Sequence, residues 1–281
     1  AKGSRYKTVL FRVVRVETAD RQGSIDDMTA TSEPPFSVSL ARTEEDLNAA
    51  KRLRYQVFVE ELGGSGPLVD HHNKLEQDRF DPYFDHLLLK ENASGAVVGV
   101  YRVMQHDQAQ RAGGFYSASE YDLAPLLHSG RRLLELGRSC LHAKYRGGPA
   151  LFHLWSGLAL YIAEHEIEVL FGVASFHGTN PQELAAPLSL LHHRHLAPEA
   201  LRVTARAAAF QRMDLIAEQD LDRRAAMLEV PSLIKAYLRL GGFVGQGAYI
   251  DHSFNTTDVC LILDTEKMNQ RQARLYQGTP A

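Results

Sequence analysis

Leu133-Leu134-Glu135-Leu136-Gly137-Arg138-Ser139-Cys140-Leu141 is followed by Arg146-Gly147-Gly148-Pro149, which opens a long apolar helical stretch. The first run predicts a strand, and the glycines a turn from that strand into the helix. A helix N-terminus offers unsatisfied backbone N–H groups and the positive end of the helix dipole, so the turn suits a phosphate or pyrophosphate. Glu135 and Arg138 stand three residues apart near the middle of the strand. A strand carboxylate beside a phosphate-binding turn is the layout needed to deprotonate an amine next to a bound thioester, which points toward acyl transfer.

The flanking segments extend this unit into an α/β sheet of mixed direction, flanked by helices. Phe36, Val38 and Leu40 alternate with Ser37, Ser39 and Ala41 as a half-buried strand. Thr43 and Asp46 form a capping-box pattern. The helix after it places Leu47, Ala50, Leu53, Val57, Phe58 and Leu62 on one face and stops at Gly63-Gly64. Residues 86–90 and 96–104 read as a hairpin around the turn at 92–95. Residues 131–142 predict the strand of the opening motif, 149–165 a helix, 169–176 a further strand and 182–193 another helix. The Ala/Arg-rich stretch 196–230 carries no clear period, and 233–240 and 258–263 close the pattern as a short helix and a strand. Residues 1–35 are a basic segment and linker, 36–264 the folded domain with its C-terminal α/β extension, and 265–281 a tail.

Composition sets the class. The 281 residues are 44% hydrophobic and 23% charged, with a formal net charge of -3, so nothing global recommends a nucleic-acid partner. Cys140 and Cys260 both lie in apolar strand patterns, which favours buried thiols and a cytoplasmic setting over a disulfide. No apolar run is long enough to span a bilayer, and no signal peptide is expected. Lys2, Arg5, Lys7, Arg12 and Arg15 alternate with apolar residues. Two readings fit them: a structural element with solvated charges, or a segment that docks peripherally on the inner membrane.

The element order, with a glycine turn after the central strand, resembles the GNAT N-acyltransferase fold. Arg54-x-x-x-Phe58, Asp78-x-x-Asp81, Arg102 and Glu135-x-x-Arg138 resemble the charged set of acyl-homoserine lactone synthases, which take their acyl group from acyl carrier protein. The runs Leu238-Arg239-Leu240-Gly241-Gly242-Phe243-Val244 and Asp251-His252-x-Phe254-Asn255-Thr256-Thr257-Asp258-Val259-Cys260 are similar to bacterial ornithine N-acyltransferases, which make lyso-ornithine lipid. His195-Leu196-Ala197-Pro198 fits the same family. The turn Lys144-Tyr145-Arg146-Gly147-Gly148-Pro149 departs from the usual coenzyme A turn of the fold, which suits a carrier-borne phosphopantetheine with its single phosphate. The only tryptophan, Trp155, and the long C-terminal portion separate the chain from the smaller lactone synthases.

Candidate site residues follow. Glu135 reads as general base or as a structural partner of Arg138 or Arg102. Asp78 and Asp81 read as turn residues or, with Arg54 and Arg102, as a buried ion-pair network over the acyl chain. Arg138 and Arg146 suit phosphopantetheine or carrier contact, since the guanidinium fork grips phosphate with two parallel bonds. Gly147 and Gly148 allow close backbone approach at the helix start, and Ser175 is placed to bond pantetheine or substrate. One of Asp251 and Asp258 is expected to meet the side-chain ammonium of ornithine, with sheet-edge capping as the rival account. His192-His193-x-His195 lacks a carboxylate or cysteine partner, so no metal is expected. Ser139 and Cys140 have no histidine motif beside them, and direct amine attack needs no enzyme nucleophile.

The resemblance implies transfer of a 3-hydroxyacyl chain from acyl carrier protein to the α-amine of L-ornithine. The only prosthetic group would be the 4'-phosphopantetheine borne by the carrier. Arg194, Arg202, Arg206 and Arg212 are candidate docking residues for that acidic partner. Acylation of another amine, including S-adenosylmethionine with lactone formation, is the second reading, and a non-catalytic acyl-carrier or lipid-binding module the third.

Overall fold

The alternation at the start of the domain becomes strand β1 (Phe36–Leu40), and the capping pattern after it becomes helix α1 (Glu44–Arg54). These come from a computed structural model that describes residues 34–268. The basic residues 2–15 and most of the tail lie outside the described residues. Thr43 Oγ1 accepts the Asp46 N–H at 3.1 Å, and Asp46 Oδ2 accepts the Thr43 N–H at 3.3 Å, so two orphan donors of the first turn are satisfied reciprocally. Ala50, Leu53, Arg54 and Val57 face inward. Past Arg54 the helix widens into a π-helical turn, Tyr55–Glu61, and this corrects one expectation. The wider turn rotates the later positions, so Leu62, placed inside by a 3.6-residue period, is 48% exposed.

The chain then runs through β2 (Asp85–Glu91), β3 (Val97–Gln105), α2 (His106–Ala112), β4 (Tyr121–Asp122) and α3 (Ala124–Leu127) to β5 (Leu133–Leu141). After it come α4 (Ala150–Glu164), β6 (Val169–His177), α5 (Ala185–His195), β7 (Thr204–Ala205) and β8 (Phe210–Gln211). The C-terminal part adds α6 (Arg223–Glu229), α7 (Ser232–Arg239), β9 (Phe243–Val244), β10 (Ala248–Asp251) and β11 (Thr256–Asp264). The main sheet has the order β1-β2-β3-β5-β6-β11-β10-β8, with β9 also on β11, while β4 and β7 pair separately. Stretch 196–230 resolves into short strands, single turns and α6, too brief to impose a period on the sequence.

Two features of this sheet position a site. All its neighbouring strands are antiparallel except β5 and β6, which are parallel and pair only over Leu133–Glu135 and Val169–Phe171. Beyond that register the two strands part. The layers also differ by face. α4 buries Leu154, Trp155 and Leu158 with the C-terminal helices on one side, while Phe80, Phe84, Met104, Phe115, Tyr121, Phe171 and Cys260 form a second core on the other.

Candidate active site

α1, the segment after its π turn, β3 and β5 together bury three arginines and three carboxylates. Arg54 Nη1 donates to Asp81 Oδ1 at 2.6 Å and its Nε to Glu76 Oε2 at 2.5 Å. Arg102 Nη1 donates to Asp81 Oδ1 at 2.8 Å and Nη2 to Asp78 Oδ2 at 2.7 Å. Arg138 closes the network through Nε to Glu76 Oε1 at 3.1 Å and Nη2 to Asp78 Oδ2 at 3.3 Å. Arg54 and Arg102 are completely buried and Asp81 is 4% exposed. Three positive and three negative charges balance, which is what makes their burial tolerable. Burial pushes the Asp81 carboxyl up, but the guanidinium charges of Arg54 and Arg102 outweigh it and hold it far below the usual carboxylate range. Glu76 belongs to none of the sequence motifs above, and its place two residues before Asp78 in one acidic run is the only local signal for it.

Arg138 reaches this network because β5 is bulged. Arg102 opposes Gly137 and Val100 opposes Cys140, so Arg138 and Ser139 together face the single residue Tyr101. Arg138 has φ +50°, a left-handed conformation that is strained for a non-glycine residue. Its guanidinium lies 5.1 Å from the Tyr116 ring centre, 5.3 Å from that of Phe254 and 6.0 Å from that of Phe58. The charge is thereby caged between aromatic faces from three separate segments.

Glu135 is placed differently from the base expected of it. It is 1% exposed, and its two oxygens accept the backbone N–H groups of Tyr116 at 2.8 Å and Ser117 at 2.6 Å. Burial raises its pKa, although the bonds from Ser117 and Tyr116 work the other way. A carboxylate sealed from solvent with both oxygens engaged by amides is arranged to hold a turn, the one at Tyr116–Ser119, rather than to receive a substrate proton directly.

Where β5 and β6 part, a narrow cleft is lined by Tyr101, Leu136, Ala174, Leu233, Tyr237 and Leu261 among others. The hydroxyls of Tyr101 and Tyr237 meet there at 2.7 Å. The turn before α4 stands at the other end of β5. Gly147 has φ +76°, and no side chain caps the first N–H groups of α4. Arg146, 45% exposed, bonds the Leu141 carbonyl at 3.0 Å and Glu61 at 2.7 Å, so it brackets this turn. Arg194, Arg202, Arg206 and Arg212 lie elsewhere, each on a local partner: Glu218, the Ala197 carbonyl, the Ala118 carbonyl and Asp214.

Ser175 and Asp258 are cross-strand neighbours on β6 and β11, and Ser175 hydrogen-bonds the Asp258 carboxyl. Asp251, at the end of β10, caps the following turn by accepting the Ser253 N–H at 2.7 Å. Both aspartates come together with Glu120, which stands in no motif of the sequence: one carboxylate oxygen from each lies within 4.8 Å of the other two.

A mixed sheet whose two parallel strands part beside an apolar cleft and an uncapped helix start defines an N-acyltransferase of the GNAT class. Residues 53–156 match the family model described as the acetyltransferase (GNAT) domain. An N-acyl amino acid synthase from uncultured soil microbes, FeeM, shares the fold at a TM-score of 0.50 and 15% identity, covering 87% of this chain and 98% of that one. L-ornithine N(alpha)-acyltransferase of Rhodobacter capsulatus is 57% identical over 246 residues, 86% of this chain and 94% of that protein. The protein of the same name from Brucella abortus is 42% identical over 248 residues, 86% of this chain and 88% of its own length. The chain belongs to the L-ornithine N(alpha)-acyltransferase family.

Proposed function

We propose that the protein transfers a 3-hydroxyacyl chain from acyl carrier protein to the α-amine of L-ornithine, giving lyso-ornithine lipid. The parting of β5 and β6 beside an apolar cleft carries this reading, because it opens the sheet where a thioester can lie with its acyl chain turned inward. The names of the relatives supply ornithine as the acceptor.

In this reading the phosphopantetheine arm enters past Gly147, Gly148 and the first N–H groups of α4, which hold its phosphate together with Arg146. No separate cofactor is required, since the arm comes with the carrier. Backbone N–H groups freed by the parted strands stabilise the oxyanion. The amine nitrogen attacks the thioester carbon, a C–N bond forms, the C–S bond breaks, and the proton shed by the nitrogen goes to the departing thiolate. Glu135 acts by fixing the turn at Tyr116–Ser119, and the Arg54–Asp81–Arg102–Asp78–Arg138 network fixes the wall that carries Phe58. Asp251 and Asp258 supply negative charge for the ornithine side chain.

The test incubates purified protein with 3-hydroxyacyl carrier protein and single amino acids, following free thiol and product mass. Thiol release with ornithine and an acyl-ornithine mass is expected. A lactone from S-adenosylmethionine would move the reading to the second acceptor, and acyl-chain binding without turnover on any amine would move it to a binding module.

A further inference from the structure

Two of the three clustered carboxylates each keep one buried oxygen without a donor. Glu120 is 5% exposed and Asp258 4%, yet Glu120 Oε2 and Asp258 Oδ1 find no hydrogen-bond donor among the described residues. Buried carboxylates normally collect donors or a cation, so oxygens left bare in this way mark a place for a ligand that brings both. The neighbours supply little countercharge. Arg138 on β5 is the cation that acts on Glu120, and it is already engaged by Glu76 and Asp78. Ser175 on β6 and Thr256 on β11 bond Asp258, Glu120 and Asp258 share a hydrogen bond when one of them holds a proton, and Tyr121, Tyr249 and Cys260 border the group with neutral side chains, so a bound ammonium would take the place of that proton.

We propose that Glu120 completes, with Asp251 and Asp258, a three-carboxylate clamp for the side-chain ammonium of the amino-acid acceptor, and that this clamp selects a diamino acid of one length. The inference rests on the acyl-transfer reading for what happens at the other amine. An ammonium donates three bonds. At about 2.8 Å each and tetrahedral angles, it holds its acceptors roughly 4.6 Å apart, inside the limit these oxygens meet. The position also fits. Ser175, the β6 neighbour of Asp258, is four residues past Phe171, where pairing with β5 ends. Ser175 thus lies on the length of β6 that has no β5 partner, so the clamp borders the parted strands, and an α-amine placed about two residues back along β6, roughly 6–7 Å away, is within reach of a short methylene chain. Burial, with Asp258 and Asp251 alongside, raises the Glu120 carboxyl to about 9, and burial raises that of Asp258 to about 6, as expected of a group that awaits a cation.

The experiment compares ornithine, lysine, 2,4-diaminobutyrate and norvaline, which has the ornithine chain length without its second amine. Calorimetric binding without acyl donor is run in two buffers of different ionisation enthalpy, followed by turnover with the carrier-bound donor. Wild type should bind ornithine with proton release and prefer it over lysine and diaminobutyrate by about 10–200-fold, the worth of one methylene. Glu120→Gln, with Asp251→Asn as a second variant in case the first misfolds, should cut the ornithine-over-norvaline preference about 100-fold, chiefly through KM. Equal losses for ornithine and norvaline would make Glu120 merely structural and overturn the clamp. Tight binding of Mg2+ or Mn2+ that Glu120→Gln abolishes, without ornithine binding, would make the trio a metal site and equally overturn it. Acylation of all four amino acids alike sinks the clamp and leaves acyl transfer standing. Ornithine binding that requires Glu120, without turnover, does the reverse.

Discussion

Asp81 accepts from two fully buried guanidinium groups, and its Oδ2 also takes the Asp78 N–H at 2.9 Å. Replacing it with asparagine leaves Arg54 and Arg102 facing an amide, two buried cations short of one countercharge. Breaking a buried pair in this way costs about 3–5 kcal/mol. Asp81→Asn should therefore lower the urea midpoint with an unchanged slope and lose activity with it, and a native midpoint would remove Asp81 from the network's foundation. Glu135 behaves differently under the same type of change. Glu135→Gln keeps one oxygen but turns an NH2 group toward a backbone N–H, so the turn at Tyr116–Ser119 loses an anchor. We expect reduced turnover together with faster amide exchange at Tyr116 and Ser117. Lost turnover with unchanged exchange there would restore the proton-acceptor role to Glu135.

At the scale of elements, the site depends on β5 and β6 staying joined at one end and open at the other. Gly172 marks the joint, because a methyl group on it would overlap the Leu136 carbonyl oxygen and the backbone around it. Gly172→Ala should prise the strands apart and lower Tm, with a cost of about 1–3 kcal/mol as for other overpacked positions; an unchanged Tm would mean that β5 shifts freely. Most of this architecture was legible in the sequence. Alternation marks β1, the turn between two apolar runs marks β2 and β3, apolar runs mark β5 and β6, and apolar residues on one helical face mark α1 and α4. The π turn after Arg54 was not legible, since it is a change of register that the side chains do not announce. Arg54, Asp78, Asp81, Arg102 and Arg138 stand out in the sequence through their resemblance to the charged set of acyl-homoserine lactone synthases, yet the bulge that carries Arg138 into the network depends on pairing with β3. Glu120 was invisible for the same kind of reason. It meets Asp251 and Asp258 only through the placement of distant segments, and nothing in Ser-Ala-Ser-Glu distinguishes it from a surface acid.

For the molecule as a whole, the two charged clusters pull stability in opposite directions with pH. Asp81 is held below its unfolded value of 3.8, so its contribution is present above that value and fades as acid protonates the folded carboxyl. Glu120 is raised from 4.5 to about 9 and Asp258 from 3.8 to about 6. Such groups contribute fully below their unfolded values, and that contribution is lost as pH rises through the folded ones. The ligand-free protein should thus be most stable in mild acid and lose Tm steadily between about pH 5 and 9. Glu120→Gln removes the group that must charge against its neighbours, so it should flatten this slope and raise Tm by several degrees at pH 8.5 while leaving pH 5 nearly unchanged. At about 2–4 °C per kcal/mol for a chain of this size class, the difference is within reach of a thermal scan. Ornithine should produce the same flattening in the wild type, because a bound ammonium replaces the missing countercharge. An identical slope in wild type and variant would mean that Glu120 does not titrate in this range. The expected result makes the cluster a site that sacrifices stability at alkaline pH, where the attacking amine is free, in return for clustered negative charge that a cationic substrate can meet.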